Sequence, residues 1–416
     1  MATPGRLMGC RRGPRRKSFA MNETPLRLSD RARDIRPFQV MEILARARAM
    51  EAAGRSLIHM EIGEPDFPTP PPIVEAGIRA LQEGHTHYTP AQGLASLREA
   101  ISGFYRQRYG VTVSPARIVI TPGASGALQL VLALLINPGD QVLLTDPGYP
   151  CNRHLVRLAG GEAVSMAVAA EADFQPTAEQ VASAWTARTA AVLLASPANP
   201  TGTLMAPAVM QAIFTEVAQR QGCMIVDEIY HGLVYQQASP TALTLSDEVF
   251  VVNSFSKYFG MTGWRLGWLV VPEGYQPHVD KLSQNLFLAA STPAQYAALA
   301  AFSPETIAIL DDRRREFAQR RDYLVAALRD LGFSVPAIPG GAFYVYADCR
   351  RFSEDSQAFA AALLDKAGVA VTPGTDFGHN QPQRFLRFAY TTSLANLQEG
   401  IKRLRQFLEQ ARIKVD

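Results

Sequence analysis

Cysteine is scarce in this chain: four in 416 residues, at positions 10, 151, 223 and 349. No two have the spacing of a metal knuckle or a paired redox motif, which excludes a zinc ribbon and a disulfide scaffold and fits a reducing cytoplasm. Long hydrophobic runs are also missing. The longest candidate, Leu128 to Ile136, contains Gln129 and falls well short of the roughly 20 residues of a membrane span, so no membrane partner is expected. Charge of one sign is lacking once the first twenty residues are set aside. They hold Arg6, Arg11, Arg12, Arg15, Arg16 and Lys17 and no acid; of the 41 basic residues, 35 remain against 38 acidic ones, turning a net +3 into −3. A nucleic-acid partner is therefore not expected. The basic leader has no apolar core for secretion and no amphipathic period. It reads as a disordered extension over residues 1–20, with Met21 as an alternative start.

What is present is an ordinary globular composition, 47% hydrophobic and 19% charged, at a length that predicts two domains. Between about residues 117 and 271, short apolar runs alternate with helical patterns: Arg117–Ile120, Gln141–Leu144, Ala191–Leu194, Met224–Asp227, Val249–Val252 and Leu266–Val271. This rhythm predicts an α/β fold with a mainly parallel sheet covered by helices on both faces, and ligands at the carboxyl ends of its strands. From about residue 300 a charged helical stretch (Asp311 to Arg329), a strand at Gly341–Tyr346, a strand at Arg384–Phe388 and a helix from about Ser393 predict a smaller α+β unit. The expected boundaries are 1–20 for the extension, 21–62 for a segment packing with the small domain, 63–300 for the large domain and 301–416 for the small one.

The most telling stretch is Ser254-Phe-Ser-Lys-Tyr-Phe-Gly-Met-Thr-Gly-Trp-Arg-Leu-Gly-Trp268. Lys257 emerges just after an apolar run, where partial desolvation favours a neutral, nucleophilic amine. Arg265 offers a planar fork for two phosphate oxygens, and Ser254 and Ser256 add hydroxyls. Thr121-Pro-Gly-Ala-Ser-Gly-Ala-Leu128 joins a strand to an apolar helix, so its amides can cradle an anion. It is neither a Walker loop nor a dinucleotide fingerprint, and Ala127 breaks the nucleophile-elbow pattern that would make Ser125 a hydrolase nucleophile. Asn199 projects from Ser196-Pro-Ala-Asn-Pro-Thr-Gly202, although Asn-Pro alone is a turn former. Asp227 ends a hydrophobic strand, where a carboxylate needs a cationic partner or serves as a helix N-cap. Tyr230 and Tyr149 follow two of these strands, as site groups or as packing. Together these groups suit a flat, phosphorylated, nitrogen-containing ring whose aldehyde condenses with an amine.

From about residue 35 to 410 the chain resembles the class I/II aminotransferases, pyridoxal-phosphate enzymes of fold type I. The resemblance is carried by Gly63-Glu-Pro-Asp-Phe67, Tyr88-Thr-Pro-Ala-Gln-Gly93, Asn199-Pro-Thr-Gly202, Asp227-Glu-Ile-Tyr230, Ser254-Phe-Ser-Lys257, Gly263-Trp-Arg-Leu-Gly267 and a late arginine. It implies a seven-stranded sheet in the large domain and pyridoxal 5′-phosphate bound covalently to Lys257, with Asp227 on the ring nitrogen, Asn199 and Tyr230 on the phenolic oxygen and Tyr149 stacked on the ring. Ala124, Ser125, Ser254 and Arg265 would hold the phosphate, Arg387 and the Gly63 backbone the substrate carboxylate. Tyr88 would reach the neighbouring subunit's phosphate, implying a homodimer with shared active sites. Arg384 competes with Arg387, but lies on the opposite face by strand alternation.

The expected activity is a cytoplasmic transaminase moving an amino group from an L-amino acid to a 2-oxo acid by a ping-pong route, aspartate- or alanine-type or broad in specificity. A β- or γ-lyase on the same scaffold and a non-catalytic binding protein are the alternatives. No metal site is expected: His85 and His87 lack a third ligand. His231 reads as pocket lining or packing, and Arg313, Arg314, Arg315, Arg320 and Arg321 read as a solvated helix face.

Overall fold

In a computed structural model the described residues are 27–235 and 239–412. The expected extension over 1–20 lies outside them. The chain divides into two compact units, Met1–Arg36 and Pro37–Asp416. In the first, the helix Asp30–Asp34 is capped by Ser29, whose hydroxyl accepts from the Ala32 amide.

The second unit is built on a seven-stranded sheet: β1 Ile118–Thr121, β2 Gln141–Asp146, β3 Glu162–Ala167, β4 Thr189–Ala195, β5 Cys223–Asp227, β6 Phe250–Ser254 and β7 Gly267–Val270. Their order is β1-β7-β6-β5-β4-β2-β3. β2, β3, β4, β5 and β6 pair in parallel, and β7 runs antiparallel to both β1 and β6. Alternate residues feed two separate cores, as the two-residue period of a strand dictates. Ile118, Ile120, Leu143, Val192, Leu194, Val226 and Val251 pack on one face with Met210, Ile213 and Val217 of the helix Pro207–Gln219. Val119, Val142, Leu144, Leu193, Ile225 and Val252 pack on the other with Leu128, Val131 and Leu132 of the helix Gly123–Leu135. The reversal of β7 brings its first residues to the edge where β1, β2, β4, β5 and β6 end.

A second, antiparallel sheet joins β8 Tyr344–Asp348, β9 Thr372–Pro373 and β10 Phe385–Ala389, with β10 central. Residues 58–59 pair in parallel with 369–370, and Ala47, Leu57, Leu364 and Ala370 form a small core beside that ladder.

The reading of five arginines as a solvated face is corrected for two of them. Arg320 and Arg321, on the helix Pro304–Leu331, are each only 2% exposed. Arg320 bridges Asp66 (2.7 Å) and Glu316 (2.6 Å), and Arg321 donates to the Pro339 carbonyl (3.1 Å) while covering the Tyr235 ring. The helix is enclosed on that side, so its charges find partners from distant segments.

His59 gives a pH dependence. Its Nδ1 lies 2.7 Å from the buried Glu61 carboxylate and its Nε2 3.2 Å from Glu51. The hydrogen bond to Glu61 raises the imidazole pKa to about 9 against the opposing effect of burial, with Glu51 adding to the rise. A pKa above the unfolded value of 6.5 means that the stabilisation is fully present below pH 6.5 and is lost as pH rises through 9. The difference in unfolding free energy between the native protein and His59→Gln is expected to shrink by on the order of 2 kcal/mol from pH 6.5 to 9.5, read from urea denaturation across that range.

Candidate active site

Five strand ends and the small sheet converge on one cavity of about 380 Å³. Ala124 and Ser125 reach it from the first turn of the helix that follows β1, Tyr149 from beyond β2, and Asn199 from beyond β4. Asp227 ends β5 and Tyr230 follows it, Lys257 follows β6, Arg265 precedes β7, and Gly63 and Arg387 close the opposite side. Ser254 and Tyr88 stand elsewhere. Ser254 is buried behind Ser256, its Oγ 2.9 Å from the Ser256 hydroxyl and 3.1 Å from the Leu266 carbonyl, and Ser256 lines the cavity. Tyr88 is 84% exposed, an unusual state for a large aromatic.

Lys257 Nζ donates to the Gly63 carbonyl at 2.7 Å. Burial pushes its amine down to about 8 against the pull of Glu64; Arg387 and Arg265 push the same way, and Asp227 opposes them. Burial likewise pushes the Asp227 carboxyl up to about 6, although it accepts the Ile229 amide at 3.0 Å. That local bond closes a turn; no helix follows Asp227 over residues 228–235, so the helix N-cap expected as an alternative is not formed. Among the described residues Asp227 makes no direct ion pair; the expected cation is Lys257 across the cavity, whose charge draws the carboxyl pKa down against burial. A buried carboxylate facing a cavity in this state suits a cationic ring nitrogen. Its neighbour Glu228 serves structure, accepting the Thr241 hydroxyl (2.9 Å) and the Ala242 amide (2.6 Å).

The anion cradle is the amino end of the helix Gly123–Leu135, where unpaired amides and the helix dipole favour negative charge. Gly123 adopts φ +71°, and a Cβ there would lie 2.7 Å from Arg265 Nη2, so the guanidinium abuts this helix start. Arg265 Nη1 is steadied by the Thr262 carbonyl at 2.9 Å.

Arg387 sits in the centre of β10 and is 1% exposed. Its Nη1 donates to Asn199 Oδ1 at 2.9 Å, and its Nη2 donates to the Glu61 carbonyl. The guanidinium lies against two rings, 4.3 Å from the centre of Tyr344 and 4.8 Å from that of Phe377. Its Nε is buried without a protein partner among the described residues. Arg384 precedes β10 and is held by Asp348 at 2.9 Å, away from the cavity lining.

Tyr344 escaped the reading of the sequence. Its hydroxyl is 2.8 Å from that of Tyr230, and burial raises both phenols above their ordinary pKa, keeping both protonated. Two hydroxyl protons share one mutual hydrogen bond, which leaves one donor for a ligand oxygen. Tyr344 sits two residues from Tyr346, the register partner of Arg387, and so shares a face with it, a neighbourhood set by strand pairing and not signalled in the sequence. His231 packs, stacked on Tyr109 at 4.6 Å, and His85 stacks on Tyr296 at 3.9 Å.

Gly63 is a point of close approach: a Cβ there would fall 1.8 Å from the Tyr344 hydroxyl. Gly63→Ala is expected to shift Tyr344 and the carbonyl that holds Lys257, lowering kcat/KM by about 10²-fold. Gly103→Ala, where a Cβ meets nothing within 4 Å, is the control in steady-state kinetics and leaves the rate unchanged.

The donor set thus provides a desolvated amine, a buried carboxylate, a helix amino end with an arginine, and a second arginine on an aromatic clamp. It fits a flat, phosphorylated ring with a basic nitrogen, beside a site for a carboxylate. A family model described as aminotransferase class I and II matches residues 55–404. A (5-formylfuran-3-yl)methyl phosphate transaminase of Methanocaldococcus jannaschii is 38% identical over 386 residues, spanning 92% of this chain and all of that protein. A valine–pyruvate aminotransferase of Mycobacterium tuberculosis is 38% identical over 374 residues, 89% of this chain and 96% of that protein. The crystal structure of an aminotransferase from Mycobacterium tuberculosis superposes with a TM-score of 0.90 at 38% identity, covering 92% of this chain and 99% of that one.

Proposed function

The chain belongs to the class I and II aminotransferases, and from that premise we propose that it binds pyridoxal 5′-phosphate on Lys257 and exchanges amino groups between L-amino acids and 2-oxo acids. The observation that carries this reading is the buried Lys257 amine, brought down to about 8 in the same cavity as Asp227, Arg265 and Arg387. When bound, the cofactor supplies an aldehyde that carries the amino group and a cationic ring that takes up electrons from the substrate Cα.

The protein's own groups do the rest. Asp227 holds a proton on the ring nitrogen by placing a buried negative charge beside it. Arg265, the amides of Ala124 and Ser125, and the Ser256 hydroxyl would hold the phosphate, with Ser254 behind Ser256 as its hydrogen-bond partner. Tyr149 would cover one ring face, and Asn199 and Tyr230 would bond the phenolic oxygen, Tyr230 backed by Tyr344. Arg387 grips the α-carboxylate, kept planar by Tyr344 and Phe377 and fixed in rotation by Asn199 and Glu61, with the Gly63 backbone alongside. That orientation aligns the Cα–H bond for removal. Once the substrate amine had displaced it from the aldehyde, Lys257 Nζ would take the proton from Cα as base and deliver it as acid to the former aldehyde carbon, a role suited to an amine that is partly neutral near pH 8.

The proposal includes a homodimer, supported by the bare ring of Tyr88 and its place in the motif that resembles a cross-subunit phosphate ligand. It also includes a cytoplasmic setting, supported by the free thiols of Cys151, Cys223 and Cys349. A division of the body after residues 62 and 300 belongs to it too, supported by the pairing of residues 58–59 with 369–370. Specificity among the named relatives ranges from valine–pyruvate to aspartate/prephenate, which supports an aspartate- or alanine-type or broad enzyme here. The test is a half-reaction: single amino acids added to the purified protein convert the lysine-bound cofactor band to that of the amino form, with one 2-oxo acid released per site. Release of ammonia instead would replace transfer with elimination.

A further inference from the structure

We propose that His59 and Glu61 form a charged clasp that positions Arg387 and Lys257, so that the grip on a substrate carboxylate depends on the protonation of a histidine outside the cavity. This rests on the assignment of Arg387 to that carboxylate made above. Three successive carbonyls of one short segment hold the two cations. The Glu61 carbonyl accepts from Arg387 Nη2 and from Thr372 Oγ1 (3.0 Å), the Ile62 carbonyl from Thr391 Oγ1 (2.8 Å) and the Gly63 carbonyl from Lys257 Nζ (2.7 Å).

The Glu61 side chain is fully buried and turns to the face it shares with His59, two residues earlier. Its Oε1 meets His59 Nδ1 at 2.7 Å, and its Oε2 is buried without a protein partner among the described residues. On its outer side His59 places Nε2 3.2 Å from Glu51, in the last turn of the helix Gln39–Ala52, whose first turn brings Val40 and Met41 to the cavity. The imidazolium thus ties the helix behind one cavity wall to the segment whose carbonyls hold the cations. The charged groups on the neighbouring elements have other partners. On the helix Leu394–Arg412, Arg403 bonds Glu399 (2.9 Å) and the Ser56 carbonyl (2.8 Å), and Lys402 lies 3.6 Å from Glu399; beyond the helix Gln39–Ala52, Asp365 pairs with Arg46 at 2.7 Å. The hydrogen bond to Glu61 keeps His59 charged up to about pH 9 despite burial, with Glu51 adding to the effect. Above that pH a buried carboxylate loses the cation bonded to it, which is costly in place, and the relaxation that relieves it moves the carbonyls of 61 and 63.

The experiment uses cofactor-loaded protein and titrates the unreactive acids 4-methylpentanoate and glutarate, either of which reports the grip on a carboxylate, against the absorbance of the lysine-bound cofactor. At neutral pH His59→Gln is expected to weaken both acids roughly 10-fold. The double variant His59→Gln/Glu61→Gln is expected to recover most of that loss, because two amides can bond each other with no buried charge left over. From about pH 7.5 to 10 the dissociation constants of the native protein are expected to rise more steeply than those of Glu61→Gln; Lys257 and the cofactor are common to both and cancel from the comparison. Unchanged affinity in His59→Gln, or a loss that the second substitution does not relieve, overturns the clasp. If His59→Gln does not fold, matching pH profiles for the native protein and Glu61→Gln overturn it instead. Arg387→Lys separates this claim from the one beneath it. If that variant leaves both acids unchanged while His59→Gln weakens them, the carboxylate assignment of Arg387 falls and the clasp stands as a support of Lys257; if only Arg387→Lys weakens them, the clasp falls alone.

Discussion

Lys257→Ala is expected to lower turnover by roughly 10⁴-fold or more, because one substitution removes both the covalent anchor and the group that moves the Cα proton. The side chain has no substitute nearby. Its amine is the only one lining the cavity among the described residues, and the other cations there are guanidiniums, which do not lose a proton in this pH range. Cofactor affinity should fall less than activity, since Arg265, the helix amino end at Ala124 and the buried Asp227 carboxylate remain. Rapid-quench turnover, together with the absorbance of the bound cofactor, separates the two effects. A variant that kept more than a tenth of native turnover would contradict the assignment.

Arg387→Lys is expected to lower kcat/KM by on the order of 10²- to 10³-fold, mostly through KM. The substitution keeps the charge and loses everything else. An ammonium cannot lie flat between Tyr344 and Phe377, cannot reach Asn199 Oδ1 and the Glu61 carbonyl together, and cannot present two parallel donors to a carboxylate. The covalent attachment of the cofactor should be unchanged, because Lys257 bonds to Gly63 rather than to Arg387. Steady-state kinetics with one amino acid and one 2-oxo acid give the KM and kcat effects separately. A variant in which kcat alone fell would shift the role of Arg387 from binding the carboxylate to the chemical step.

The parallel sheet was legible because strands buried on both faces must be continuous apolar runs, and each of the six runs read from the sequence overlaps a strand, with Arg117, Val249, Leu266 and Val271 just outside. β3, Glu162–Ala167, left no such trace. It is an edge strand with only Met166 fully buried, so its residues are free to be polar. Lys257 and Asp227 were legible for the same reason inverted: a charged residue directly after an apolar run stands out. Tyr344 did not, since its place beside Arg387 is set by the pairing of β8 with β10, and no local pattern records which strands pair. Arg320 was misread because its acidic neighbours imply a solvated face, whereas one of its two carboxylate partners, Asp66, lies 254 positions away. Ser254 and Ser256 share one short motif, and only the turn after β6 decides which of them borders the cavity.

Reduction of the cofactor-loaded protein with borohydride, followed by mass spectrometry of its peptides, tests the central claim most directly. The account expects one reduced cofactor per chain, attached to the peptide containing Lys257 and absent when L-amino acid is added beforehand to convert the cofactor. Attachment to another lysine, or no attachment in a protein that still transaminates, would contradict it.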